Sequence, residues 1–330
     1  MKKLLAILLS AVLLLSFATF ASAEQTKPLK VAVCIAEALG DLGFNDSADA
    51  GLKKLEADFG VQGSIVECKS DASKYQTALV DAAEANDVVV AVGWQFWDAL
   101  TAVVPEMPDT KFIFVDNGLD GVGSNLLSIT YAENEGSFLA GYIAMKTSAS
   151  QTIGFVGGED SATINNFFVG YKQGALYANA DGKVLDAVYA GDYDSPDVGK
   201  ELATTLYNNG ANVVFAVAGK TGLGVFDAAK EQNKYAIGVD SDQKYIDPDH
   251  ILCSMKKDIG GSVYSVVAQY IKDGTFNGGT IWDADMTSGF VGIGYGDDTM
   301  TQQVSDDLKA EVKTLTDKII SGEIVVDTTR

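Results

Sequence analysis

Residues 29–36, Leu29-Lys30-Val31-Ala32-Val33-Cys34-Ile35-Ala36, run through Glu37-Ala38-Leu39 into Gly40-Asp41-Leu42-Gly43-Phe44-Asn45-Asp46-Ser47. An apolar, β-branched strand breaks there at a polar, Gly-containing loop, and an amphipathic helix follows over 47–59. The unit recurs outward from this point. Strands at 63–68, 87–92, 111–115 and 128–131 are interleaved with helical stretches at 75–85 and 97–104. Alternation of this kind is the signature of βαβ units on a parallel sheet, so this run makes one doubly wound α/β lobe. The pattern then restarts, with helices at 135–146, 165–179, 196–209 and 224–232 among strands at 152–156, 183–189, 213–217 and 236–239. A second lobe of the same plan follows, without an alignable repeat. The remainder offers a strand at 250–254, a helix at 259–272, a Gly-rich β segment at 289–295 and a charged helix at 305–321.

The first residues have the composition of an export signal: basic Lys2-Lys3, an apolar run from Leu4 to Phe20, then Ala21-Ser22-Ala23. Cleavage after residue 23 leaves enough chain for two domains of roughly 150 residues each. No cysteine follows the apolar run, which speaks against lipid attachment and for a mature protein free in a periplasm, without stable membrane insertion. The formal charge is −21 over the whole chain, with a single histidine. Removal of Lys2 and Lys3 makes it more negative still, a surface that repels nucleic acid and anionic membrane alike. Cys34, Cys68 and Cys253 are too few for a disulfide framework. Buried free thiols are the expected state, although Cys34 and Cys68 lie in segments that can be adjacent strands, where one bridge is conceivable.

In open α/β sheets, ligands bind beyond the carboxyl ends of the strands, so the loops after each strand carry the functional information. The loop 40–47 with Ala50-Gly51-Leu52 resembles the signature of the basic membrane protein family. Five further groups of residues agree with it: 112–116, 135–142, 154–158, 219–225 and 237–243. Members of that family are similar to purine nucleoside receptors of ABC importers. The resemblance implies a type I periplasmic binding fold whose chain crosses three times between lobes, a small-molecule ligand, an ABC transporter permease as partner, a monomer, and no cofactor. The lobes are then expected at 27–131 plus 243–282 and at 132–242 plus 283–330.

A nucleoside presents a flat π-face, base-edge donors and acceptors, and ribose hydroxyls, so its receptor needs aromatic plates and carboxylates. Phe44, in a polar loop of one lobe, and Phe167, at the start of a helix in the other, can clamp a base, at about 1–3 kcal/mol per stacked face. Phe167 is preferred to Phe168 because it matches the family position. Asn45 can read a base edge or cap the helix, with Asp46 and Ser47 the better caps by position; Asp41 is counted with the ligand-binding set. Trp94, where the family has a smaller aromatic, either lines or shields the pocket. Asp116 and Asp240 each end an apolar strand in a different lobe. A buried unpaired charge is costly there, so a hydrogen-bonding ligand or a nearby lysine is expected. By analogy Asp240 accepts from the ribose hydroxyls. Lys257, in Ser254-Met255-Lys256-Lys257, matches a family element, with Lys256 as the alternative on the opposite face. Gly219 opens a Gly-Lys-Thr-Gly segment that fails the phosphate-loop pattern because position 214 is valine; a backbone amide approaching the ligand is the expected use.

A glycoside or nucleoside hydrolase is the competing class, since Asp41, Asp46, Asp116, Asp240 and Asp242 can supply paired carboxylates or hold calcium. Against it stand the lone His250, expected at the surface, and the lack of a Gly-x-Ser-x-Gly elbow, a His-rich metal spacing or a nucleotide-binding fingerprint. A sugar or purine base is the alternative ligand for a receptor of this fold. The ligand-sensing half of a transcription regulator would need a DNA-binding headpiece, and the export signal stands in its place.

Overall fold

The computed structural model describes residues 27–329; the leader assigned to residues 1–23 lies outside them. The first lobe is built from β1 (Lys30–Ile35), α1 (Phe44–Phe59), β2 (Gln62–Glu67), α2 (Tyr75–Ala85), β3 (Val88–Val92), α3 (Trp97–Val103), β4 (Lys111–Val115) and β5 (Leu126–Tyr131). Residues 31–36 and all of β3 are buried, as expected of parallel strands covered by helices on both faces. The second lobe follows with α4 (Glu133–Thr147), β6 (Thr152–Gly157), α5 (Ala162–Ala178), β7 (Lys183–Val184), β8 (Val188–Tyr189), α6 (Pro196–Asn208), β9 (Val213–Val217), α7 (Leu223–Glu231), β10 (Tyr235–Asp240) and β11 (Ile251–Lys257). The chain then returns to the first lobe as α8 (Ile259–Asp273) and β12 (Thr280–Ala284) and crosses back as β13 (Val291–Gly294) and α9 (Asp306–Ile320).

The first sheet has the order β12-β5-β4-β3-β1-β2 and is parallel throughout. The second runs β13-β11-β10-β9-β6-β7, with β8 also on β6 and only β13 antiparallel. Strand order reverses beside β1 in one lobe and beside β6 in the other, which opens a crevice at the carboxyl end of each sheet. Three connections bind the lobes, and they hydrogen-bond to one another. Ala132 N donates to Ala284 O at 3.1 Å, and Asp258 N to Phe290 O at 2.8 Å.

One expectation is corrected here. The segment 243–257 was placed with the first lobe, yet β11 pairs with β10 through Val239↔Met255 and Asp240↔Lys256. The second crossing therefore comes after Lys257. What belongs to the first lobe is α8, because it packs closely on α1: a Cβ at Gly260 would stand 2.1 Å from the Ser47 carbonyl oxygen. Strand β12, assigned no element from sequence, adds an edge to the first sheet. Cys34 and Cys68 are both buried and free. Cys34 faces Val66 in the β1–β2 register, so Cys68 sits two residues further along. At ~3.3 Å rise and ~4.8 Å strand spacing their Cα atoms lie roughly 8 Å apart, too far for a bridge.

Candidate functional site

The strand ends of both sheets face a cleft of about 680 Å³, and all nine residues singled out from sequence line it. From the first lobe come Asp41, Phe44 and Asn45 after β1, Trp94 after β3 and Asp116 after β4. From the second come Phe167 on α5, Gly219 after β9, Asp240 at the end of β10 and Lys257 at the end of β11.

Lys257 organises the floor. Its buried ammonium donates to Asp116 Oδ1 at 2.7 Å and lies 3.6 Å from Asp240 Oδ1. It also stands 4.9 Å from the Phe44 ring centre, 5.0 Å from that of Phe167 and 5.7 Å from that of Tyr131. Burial alone would lower the Lys257 pKa, but Asp116 and Asp240, with Glu133 beyond them, hold it above the ordinary lysine value. Lys256 takes the other face of β11 and is only half-buried. One cation thus serves two carboxylates. Burial pushes Asp240 up to about 7, with Lys257 opposing the rise and Asp116 adding to it. Asp240 Oδ1 has no hydrogen-bond partner among the described residues. Asp116 and Asp240 also share a left-handed backbone, φ +75° and +64°. Non-glycine residues adopt that conformation at a cost and cluster in it at functional sites.

Phe167 lines the cleft and is fully buried, whereas Phe168 is half-buried, does not line the cleft and lies 5.3 Å from Phe155. The difference follows from helix geometry, since consecutive residues on α5 point about 100° apart. Trp94 lines the rim with 38% of its surface exposed. Gly219 has φ +53°, and a Cβ there would come within 3.3 Å of Tyr193.

Asp41 lines the cleft and also has a structural task. Its carboxylate accepts from the amides of Gly43 (3.0 Å), Asn45 (2.8 Å) and Asp46 (3.1 Å), so it caps the amino end of α1. The helix consequently starts at Phe44, before the Asp46 and Ser47 caps expected by position. Asp46 instead closes the loop by accepting from Gly40 N and Leu42 N, and Ser47 Oγ accepts from Gly260 N across to α8. Asp242, another candidate for paired-carboxylate chemistry, accepts from Gly296 N and Lys244 N. His250 is held by Asp247 at 3.0 Å and does not line the cleft.

Among the lining residues that escaped the sequence reading are Glu37, Gln95 and Tyr193. Glu37 and Gln95 lie two and three residues beyond the ends of β1 and β3, and Tyr193 lies in the loop between β8 and α6. The strand-end rule applied one residue at a time would have found the first two. Tyr193 carried no such signal; its ring lies over Gly158, where a Cβ would meet it at 2.1 Å. Among the described residues no His, Cys, Asp and Glu cluster could hold a metal ion, and no helix is long and apolar enough to cross a membrane.

The model of the PnrA-like family of ABC transporter substrate-binding proteins matches residues 29–330. Basic membrane protein A of Borreliella burgdorferi is 33% identical over 330 residues, 98% of this chain and 95% of that one. Basic membrane protein C of the same species is 34% identical over 333 residues, 95% and 93% of the two chains. Among solved structures, an ABC transporter solute-binding protein from Aeropyrum pernix superposes with a TM-score of 0.82 at 26% identity, covering 91% of this chain and 94% of that one. A carbohydrate-transporter solute-binding protein from Agrobacterium radiobacter in complex with D-arabinose shares the fold alone, with a TM-score of 0.62 at 17% identity over 88% of this chain and 99% of that one.

Proposed function

The chain belongs to the PnrA-like family of ABC transporter substrate-binding proteins, and we propose that it is the periplasmic receptor of an importer whose ligand is a purine nucleoside, enclosed between the lobes, left chemically unchanged and delivered to the permease. The observation that carries this reading is the buried Oδ1 of Asp240, which lies 3.6 Å from the Lys257 ammonium but has no hydrogen-bond partner among the described residues, in a cleft shared with Phe44 and Phe167. Such an oxygen is stabilised by a donor from the ligand, and vicinal ribose hydroxyls are two donors at the right spacing for one carboxylate. The two rings, one from each lobe, supply flat apolar faces for a base, so closing the lobes and stacking the ligand are one event.

The absence of chemistry on the ligand is supported by where the carboxylates are engaged. Asp41, Asp46 and Asp242 accept from backbone amides, and Asp116 is bonded to Lys257. Of the five aspartates that could supply paired carboxylates, this leaves Asp240 as the one without a hydrogen bond among the described residues, whereas glycoside hydrolysis needs a proton-donating carboxyl and a second free carboxylate across the scissile bond. Glu37, which also lines the cleft, is held by Gln95 and Asn45. Export rests on Lys2-Lys3, the apolar run and Ala21-Ser22-Ala23.

Thermal-shift assays with inosine, guanosine and adenosine, followed by chromatography of the recovered compound, test the proposal. The expected result is a raised melting temperature and an intact nucleoside. Released free base would make the protein a hydrolase. Stabilisation by ribose or arabinose with none by nucleosides would make it a sugar receptor.

A further inference from the structure

Glu37 forms a second polar corner of the cleft. It stands two residues beyond β1, and its carboxylate accepts from Gln95 Nε2 at 2.7 Å and from Asn45 Nδ2 at 3.4 Å. The other oxygens of these two amides, Gln95 Oε1 and Asn45 Oδ1, are buried without a partner among the described residues. Gln95 folds back over Gly93, whose φ of +110° and missing side chain leave the space; a Cβ there would lie 2.5 Å from Gln95 Oε1. Five titratable groups influence or are influenced by Glu37: Asp41 before α1, Glu159 after β6, Tyr193 before α6, Tyr75 on α2 and Cys68 after β2. None of them is cationic. Burial pushes the Glu37 carboxyl up to about 7, against the Asn45 bond and with Asp41 and Glu159 adding to the rise.

We propose that Glu37, positioned by Gln95, reads the base edge, and that its protonation state selects the base: ionised, it takes a guanine edge; protonated, an adenine edge. This inference rests on the nucleoside reading above. Guanine presents N1–H beside a 2-amino group, two adjacent donors that match the two oxygens of a carboxylate. Adenine presents a 6-amino donor beside the N1 acceptor. That pair matches a neutral carboxyl, whose carbonyl oxygen accepts while its O–H donates. In either case one hydrogen of the exocyclic amino group is left over, and an unpartnered amide oxygen beside Glu37, that of Asn45, can accept it. Guanosine binding therefore draws the ionised form and releases a proton where Glu37 was protonated; adenosine binding takes one up where it was ionised.

The test is the ratio of adenosine to guanosine dissociation constants, measured by calorimetry from pH 5.5 to 8.5. Both ligands carry the same ribose, so titration of Asp240 cancels in the ratio. The ratio should move toward guanosine with rising pH, approaching about tenfold per pH unit where discrimination is complete. Glu37→Gln should flatten the dependence and weaken guanosine selectively. Gln95→Met removes a donor to the ionised form and should shift the curve to higher pH, a change that a merely structural role for Gln95 would not produce. Tight binding of both nucleosides by the wild-type protein with a ratio independent of pH overturns the proposal and leaves the nucleoside reading standing. No binding of either nucleoside removes that reading and this inference with it. The wild-type ratio decides the matter even if Glu37→Gln does not fold.

Discussion

Asp116 and Asp240 hold equivalent places in two lobes of the same plan. Each ends a strand flanked by two parallel neighbours, β4 between β3 and β5, β10 between β9 and β11, and each has a left-handed φ. Their partners differ. Asp116 receives the Lys257 ammonium at 2.7 Å, whereas Asp240 stands 3.6 Å from it with Oδ1 unpartnered among the described residues. The source of the asymmetry is one position further on: β5 ends in Tyr131 and β11 in Lys257. Two symmetric acceptors and a single cation leave one carboxylate hydrogen-bonded and the other without such a partner among the described residues. The first joins the lobes, and the second is the one to which the proposed function assigns ligand recognition.

Removing the shared cation should have the largest effect. Lys257→Met leaves two buried carboxylates without compensation, and loss of one partner of a buried ion pair costs about 3–5 kcal/mol. Chemical denaturation should show a loss of that order, and stability within ~1 kcal/mol of wild type would mean that the lobes do not depend on this contact. Asp240→Asn keeps a side chain that tolerates φ +64° while removing the charge. With hydrogen bonds to a charged group worth about 1.5–3 kcal/mol each, nucleoside affinity should fall by about a hundredfold or more with the fold intact. Unchanged affinity by calorimetry would remove Asp240 from ligand recognition and abolish the contrast with Asp116.

Phe44→Ala should weaken binding by about 1–3 kcal/mol, the value of one stacked face, with little loss of stability because the ring is only half-buried. A stability loss without an affinity loss would make Phe44 a packing residue. The smallest effect is the pH dependence. The folded pKa of Asp240, about 7, lies above its ordinary 3.8, so its contribution to stability is complete below the ordinary value and is lost as pH rises through 7. Ligand hydroxyls favour the ionised form, which adds an opposite trend to binding. For either nucleoside, the affinity penalty of Asp240→Asn should therefore shrink by up to about tenfold from pH 8 to pH 6. A penalty constant across that range would mean that Asp240 titrates outside it.

The plan of two α/β lobes was legible because continuous apolar runs such as 88–92 and 213–217, separated by amphipathic segments, admit few other arrangements. The strand-end rule, together with the family resemblance that selected Lys257 and Phe167, chose residues that converge, since a parallel sheet delivers all its strand termini to one edge. Phe44, Asp116, Asp240 and Lys257 come together for that reason, though Phe44 and Lys257 are more than two hundred positions apart. Local patterning could not say which sheet β11 joins, because 251–257 is apolar enough for either, and its register with β10 is a long-range choice. The same limit applies to the thiols of Cys34 and Cys68, whose separation depends on a two-residue offset between strands.

Charge is where sequence and tertiary structure divide most sharply. Asp41, Asp46, Asp116, Asp240 and Glu37 are equivalent as letters, each an acidic residue near a strand end. Folding gives Asp41 three amides to cap and Asp46 two, gives Asp116 a lysine, and leaves Asp240 buried and Glu37 half-buried with pKa values pushed up to about 7. Residue type and spacing specify strands, helices and the edge at which they end, because those depend on local conformation and apolar periodicity. Protonation, pairing and burial depend on distances of a few ångströms between segments far apart in the chain, and those exist only once the two lobes are packed.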